Sequence, residues 1–218
     1  MLSRYTTVNK EAYQHEINIQ KSRFIAHIQR AENEAEAQEF IQYLKKKYWD
    51  ATHNCSAYII GEHDQIQKAN DDGEPSGTAG VPILEVLKKR NLKDTVVVVT
   101  RYFGGTKLGA GGLIRAYGKA TSEGLNAGGI VERRLVQIVQ VTVDYTWIGK
   151  LEKELRASSY IIKEIHYLDK VIFEVYVEES EVQTFMNWVI ELTNANCNFI
   201  KGDNVYLEEN IKISKDIS

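Results

Sequence analysis

Val96-Val97-Val98-Val99-Thr100-Arg101-Tyr102-Phe103-Gly104-Gly105-Thr106-Lys107-Leu108-Gly109-Ala110-Gly111-Gly112-Leu113-Ile114-Arg115 changes character twice within twenty residues. The four valines form an unbroken apolar run, the pattern of a strand buried on both faces. Five of the nine positions from 104 to 112 are glycine. Residues 113–127 then resume an apolar helical spacing that Gly128-Gly129 closes. A strand, a glycine loop and a helix in this order place the loop at a helix N-terminus.

Working backwards, alternation over residues 13–20 and 23–28 predicts two strands, with Phe24, Ala26 and Ile28 on one face and Arg23, Ile25 and His27 on the other. A helix capped by Asn33 follows, its face made by Ala37, Phe40, Ile41, Leu44 and Tyr48. Residues 53–60 and 65–69 read as a hairpin turned through Gly61-Glu62-His63-Asp64. The loop Asp71-Asp72-Gly73-Glu74-Pro75-Ser76-Gly77-Thr78-Ala79-Gly80 leads to a second helix, with Thr78 as its expected N-cap and Pro82 in its first turn. Val81, Leu84, Val86 and Leu87 give that helix an apolar face, which runs to Lys88-Lys89-Arg90.

Working forwards, residues 135–145, 160–167, 170–177 and 198–207 read as strands and residues 149–157 and 182–192 as helices. The order βαββαβ is the split βαβ of ferredoxin-like domains, with two helices over one face of a four-stranded antiparallel sheet. The expected fold is α+β in two domains, residues 1–134 and 135–210, with a tail over 211–218.

The chain has 218 residues, 43% of them hydrophobic and 26% charged, with two prolines. That composition excludes disordered and collagen-like classes, and a core of this size needs neither disulfides nor a metal. Cys55 and Cys197 form no C-x-x-C, which argues against zinc ribbons and thioredoxin-type chemistry and for a reducing compartment. No apolar leader or membrane-length run occurs, so the sequence reads as cytoplasmic with no membrane contact. Residues 1–134 hold 19 basic and 16 acidic side chains, a net of +3, and the remainder holds 8 and 14, a net of −6. Between residues 95 and 122 there is no acid, only Arg101, Lys107, Arg115 and Lys119.

Gly104, Gly105, Gly109, Gly111 and Gly112 permit close backbone approach, so successive N–H groups can cradle an anion beside the helix terminus, with Arg101, Lys107 and Arg115 completing the site. The alternative is a glycine-rich crossing packed on another strand, with the arginines paired to Asp71, Asp72 or Glu74. The spacing fits neither a P-loop nor a dinucleotide fingerprint. Asp71, Asp72 and Glu74 could hold Mg²⁺, but Asp-Asp-Gly-Glu-Pro also reads as a turn that forms salt bridges to the basic loop. His53 and Cys55 share a strand face, without an orienting third group to make a nucleophile pair. His15, His27, His63 and His166 lack ligand spacing.

Lys21-Ser22-Arg23-Phe24-Ile25, Ala51-Thr52-His53-Asn54, the loop over 71–80, and Arg101-Tyr102-Phe103-Gly104-Gly105 with Leu108-Gly109 resemble the signature of the YigZ/IMPACT family, a likeness that covers almost the whole chain. The resemblance implies an N-terminal domain with a left-handed βαβ arrangement similar to domain IV of elongation factor G, and a ferredoxin-like domain similar to its domain V. It also implies a bacterial, YigZ-type member, because eukaryotic members carry an extra N-terminal RWD domain and the motifs here begin close to Met1. Those eukaryotic members regulate translation by competing with the general-control kinase for its ribosome-associated activator.

The expected function is a non-enzymatic, translation-associated factor that engages RNA, the ribosome or a translation-linked protein. Arg23, Arg101, Lys107, Arg115 and Lys119 would neutralise phosphates, and Tyr102 and Phe103 would stack on unpaired bases. The alternative is a nucleotide- or phosphometabolite-binding enzyme using the same loop, by fold analogy with galactokinase and homoserine kinase. A third reading docks a basic protein on Glu178, Glu179 and Glu181. No catalytic residue, metal or cofactor is expected, and His53, Asp71, Asp72 and Glu74 form a structural or secondary site.

Overall fold

The computed structural model describes residues 1–211; of the tail expected over 211–218, all but Ile211 lies outside the described residues. The described chain divides into two compact units. The first comprises residues 5–133 with 209–211, and the second residues 134–208 with 1–4.

The first unit contains β1 (Arg4–Val8), β2 (Tyr13–Ile19), β3 (Ser22–Arg30), α1 (Glu34–Lys47), β4 (His53–Ile60), β5 (Ile66–Asn70), α2 (Gly80–Lys89), β6 (Thr95–Tyr102) and α3 (Gly109–Gly128). Its sheet runs β2-β3-β6-β4-β5 with every neighbouring pair antiparallel. The valine run lies in central β6 and is buried on both faces as its sequence predicts. Val97 and Val99 pack with Phe24, Ala26, Ile28 and Cys55 under α2 and α3. Val96 and Val98 pack with Phe40, Ile41 and Leu44 of α1. Gln20 and Lys21 turn β2 into β3 with φ of 45° and 69°, the left-handed pair that matches a hairpin's twist. Asn33 caps α1 as expected, its Oδ1 accepting the Glu36 N–H at 3.0 Å.

Two sequence expectations need correction. Thr78 does not cap α2; its hydroxyl donates to the Pro75 carbonyl at 2.6 Å. Asp71 does that work from outside the helix, its Oδ1 accepting from Ala79 N at 3.0 Å and Gly80 N at 2.8 Å. Helix α3 begins at Gly109, not Leu113. Glycine's low helix propensity costs about 1 kcal/mol per residue, and burial of Leu113, Ala116, Tyr117, Ala120 and Leu125 along one face offsets it.

The second unit takes in most of β7 (Ile130–Val143), then α4 (Ile148–Ala157), β8 (Ile161–Tyr167), β9 (Val171–Glu178), α5 (Val182–Leu192) and β10 (Cys197–Ile211). Its strands lie in the order β8-β9-β7-β10. Alternate residues Val139, Val141 and Val143 of β7 and Val171, Phe173, Val175 and Val177 of β9 form the core with Leu151, Leu155, Phe185 and Val189 of the helices. The chain is therefore α+β, with a separate sheet-and-helix core in each unit. Among the described residues no helix is long and apolar enough to cross a membrane.

Candidate functional site

The two loops singled out in the sequence, far apart along the chain, meet in the first unit. They border a cleft of about 310 Å³ whose wall includes Thr52, His53, Glu74, Arg101, Phe103 and Lys107. Antiparallel pairing sets His53 directly opposite Arg101, which brings the start of β4 to the end of β6.

Each acid of the 71–80 loop has a structural partner. Asp71 accepts from the backbone of Gly77, Ala79 and Gly80. Burial alone would raise its carboxyl, but these three bonds hold it below the ordinary value. Asp72 accepts from Asn54 N at 2.7 Å and from Lys45 Nζ at 2.6 Å. Glu74 is 8% exposed, and its Oε1 accepts from Arg101 at 2.6 Å and from the Tyr117 hydroxyl at 2.8 Å. His53 Nδ1 donates to the Asp72 carbonyl at 2.8 Å, leaving Nε2 3.7 Å from Glu74 Oε2.

Arg101, expected to face a ligand phosphate, is 5% exposed. Its guanidinium lies 5.5 Å from the ring centres of both Phe24 and Phe103. The pairing of an arginine with an acid of the 71–80 loop is thus what the structure contains, and Arg101 fastens the cleft wall. Cys55 is fully buried, and burial pushes its thiol up to about 12; burial also raises its neighbour Tyr117, whose hydroxyl is 3.3 Å from the sulfur.

Gly104 follows the crossing reading as well. A Cβ there would overlap the Lys21 carbonyl, so the chain passes the β2–β3 turn at a distance only hydrogen permits. Beyond it, Lys107 is exposed and Leu108 precedes α3 without a capping side chain or an acid in the first turn. Gly109, Gly111 and Gly112 stand in that first turn, so the helix terminus itself faces the cleft mouth. Arg115 and Lys119 follow on the exposed side of α3, and Lys119 lies 3.7 Å from Glu123. Arg23 makes two bonds to Glu16, at 3.0 and 2.9 Å, and lies 5.2 Å from the centre of the Tyr102 ring. Among the described residues Lys107 and Arg115 form no ion pair; Lys107 lines the cleft with Phe103, which is 47% exposed, and the Arg115 guanidinium reaches back to Gly111 in the first turn of α3.

Residues 20–125, which contain the whole cleft, match the model of the Impact N-terminal domain, and residues 141–196 match a domain of unknown function, DUF1949. The chain is 63% identical over 216 residues to the IMPACT family member YvyE of Bacillus subtilis, covering 99% of each. The chain belongs to the IMPACT family. A second IMPACT family member, YigZ of Escherichia coli, is 32% identical over 77% of this chain and 83% of that one. The likeness to YvyE is the greater of the two, which replaces the expected YigZ type with a bacterial relationship drawn more widely. Protein IMPACT of Danio rerio is 35% identical over 98 residues, 43% of this chain and 30% of that one. A crystal structure of a hypothetical protein superposes with a TM-score of 0.59 at 25% identity, covering 93% of this chain and 99% of that one.

The sequence reading missed one polar cluster in this IMPACT chain. Glu164, His166 and Glu174 of the second unit bring their ligand atoms within 4.8 Å of one another. Lys163 Nζ lies 2.6 Å from Glu174 Oε2, so this carboxylate already has a cationic partner. The signal for it was the i, i+2 spacing of Glu164 and His166, which puts both on one strand face.

Proposed function

We propose that this IMPACT-family chain is a non-enzymatic, translation-associated binding factor that engages RNA or the ribosome through the mouth of its cleft. Membership of the family supports the association with translation. The observation that carries the binding surface is a pair of cations with no ion pair among the described residues, Lys107 lining the cleft with exposed Phe103 and Arg115 reaching back to Gly111 in the first turn of uncapped α3. Charges that no protein carboxylate neutralises are available to phosphates, and an exposed ring beside them offers a stacking face. Arg101 leaves the contact set and becomes the residue that holds Phe103 and Glu74 in place. The strand order β8-β9-β7-β10 supports the ferredoxin-like part of the implied likeness to elongation factor G, whose domains IV and V remain part of this proposal.

A second reading, a small phosphorylated or nucleotide ligand, is favoured by the cleft volume of about 310 Å³, at the lower end of small-ligand sites. Sedimentation with ribosomes from the cell extract, at low and moderate salt, separates the two. The intact chain is expected to pellet at low salt and to be released as salt rises. Lys107→Ala/Arg115→Ala should lose pelleting and reduce the salt slope by about 2. If the intact chain stays soluble at both salts, binding to the ribosome fails, and Mg²⁺-nucleotide calorimetry then tests the second reading.

A further inference from the structure

Helix α1 ends in Lys45-Lys46-Lys47 and continues as Tyr48-Trp49-Asp50-Ala51-Thr52. Trp49 is 82% exposed. Indole carries one of the largest apolar areas of any side chain, so a tryptophan left in water is informative where an exposed leucine is not.

The turn that carries Trp49 is fastened. Ala51 N donates to the Tyr48 carbonyl at 3.1 Å, and Thr52 N to the Arg101 carbonyl at 2.9 Å. Asn54 Nδ2 donates to the Tyr48 carbonyl at 3.1 Å. The Tyr102 hydroxyl donates to Asp50 at 2.9 Å, and Phe103 N to Thr52 Oγ1 at 3.0 Å. These bonds tie the turn to β4 and β6 on both sides of the indole.

Cations and rings alternate along the segments that the turn joins. Lys47 Nζ lies 5.8 Å from the Tyr43 ring centre and 5.4 Å from that of Tyr48, and Lys46 is exposed beside it. Across Asp50, whose carboxylate holds the Tyr102 hydroxyl, stand Tyr102 and Arg23, and past Thr52 come Phe103 and Lys107. A single strand of nucleic acid presents the same alternation, a charged backbone with base faces at intervals. A duplex offers no free base face, and the lysines that precede this indole in the chain favour a polyanion.

We propose that the Tyr48–Thr52 turn and the end of α1 form a platform for single-stranded RNA, with Trp49 stacking an unpaired base and Lys46 and Lys47 meeting the adjacent phosphates. The proposal rests on the RNA-binding reading above and extends it from the cleft mouth to a surface the sequence had not singled out.

The test uses the full chain and a fluorescently labelled oligouridine of about 12 nucleotides, with an RNA duplex of equal length beside it, followed by anisotropy. Trp49→Ala is expected to weaken the single strand roughly tenfold, one stacked base, and Trp49→Phe to recover most of that loss. Lys46→Ala/Lys47→Ala should lower the salt slope by about 1.4, two phosphate contacts on a single strand. Because these side chains are exposed, none of the changes disturbs the core. Unchanged affinity in Trp49→Ala, or a duplex bound as tightly as the single strand, overturns the platform. If ribosome pelleting still depends on Lys107 and Arg115 in that case, the broader function stands without it. A chain that binds neither ribosomes nor the oligomer overturns both.

Discussion

The second unit fills its interior with Val139, Val141, Val171, Phe173, Val175 and Phe185, whereas the first threads His27, Asn54, Glu74, Thr100 and Arg101 through its own. Of the sixteen buried polar or charged residues among those described, fourteen belong to the first unit and only Glu174 and Thr193 to the second. Apolar burial is non-directional and tolerates substitution of similar volume. Buried polar contacts fix loops in one geometry and leave a large penalty when one partner is lost. The first unit therefore carries a shaped cleft at a cost in robustness that the second does not bear.

The sharpest way to break this contrast is to remove one acid from each unit. Glu74→Ala leaves Arg101 buried without its partner and should cost about 3–5 kcal/mol. Glu174→Ala removes a carboxylate whose partner Lys163 is solvated, and should cost under about 1 kcal/mol. Urea unfolding of the full chain measures both, and equal losses would end the distinction.

His27 sharpens it with pH. Burial, with Lys47 nearby as the lesser cause, lowers its imidazole to about 4 from 6.5. The unfolded chain then takes up a proton before the folded one does as pH falls. Stability present at neutral pH is lost between about 6.5 and 4, by up to roughly 3 kcal/mol. His27→Leu should flatten that slope in urea midpoints measured across the interval. Within the first unit Asp71 gives the smallest effect, about 1–2 kcal/mol for Asp71→Ala, the range of a lost helix cap. Its lowered carboxyl places this contribution above the unfolded carboxylate value, to be lost as pH falls through the folded one. Faster hydrogen exchange at the Ala79 and Gly80 amides is the expected signature.

What could be read in advance was local. The continuous apolar run from Val96 to Val99, the Asn33 cap and the hairpin around Gly61 each depend on neighbours a few residues away, and each appears where the sequence put it. Thr78 looked like a cap because caps are sought next to their helix, whereas Asp71 reaches α2 from eight residues before Ala79. For Arg101 the sequence leaves two roles, a ligand contact or a salt bridge to Asp71, Asp72 or Glu74, and it does not choose between them because Glu74 lies 27 residues away on a loop whose path is not encoded locally. The glycines at 109, 111 and 112 read as loop because propensity disfavours them in helices, and burial of Leu113 and Tyr117 reversed that preference. Trp49 escaped notice since exposure is a property of the folded surface.

Gly104, pressed against the Lys21 carbonyl, has a counterpart in Gly80, where a Cβ would stand 2.5 Å from Asn70 N. One glycine sits in each of the two loops that border the cleft, and each marks a place where a single methyl group is too much. Each loop is thereby seated by backbone meeting backbone, Gly104 on the β2–β3 turn and Gly80 on the end of β5, and side-chain bulk cannot be traded for either contact. Variation between Gly104 and the start of α3 is left to residues such as Thr106 and Lys107, so the chemistry offered to a partner can be rewritten while both loops keep their seats.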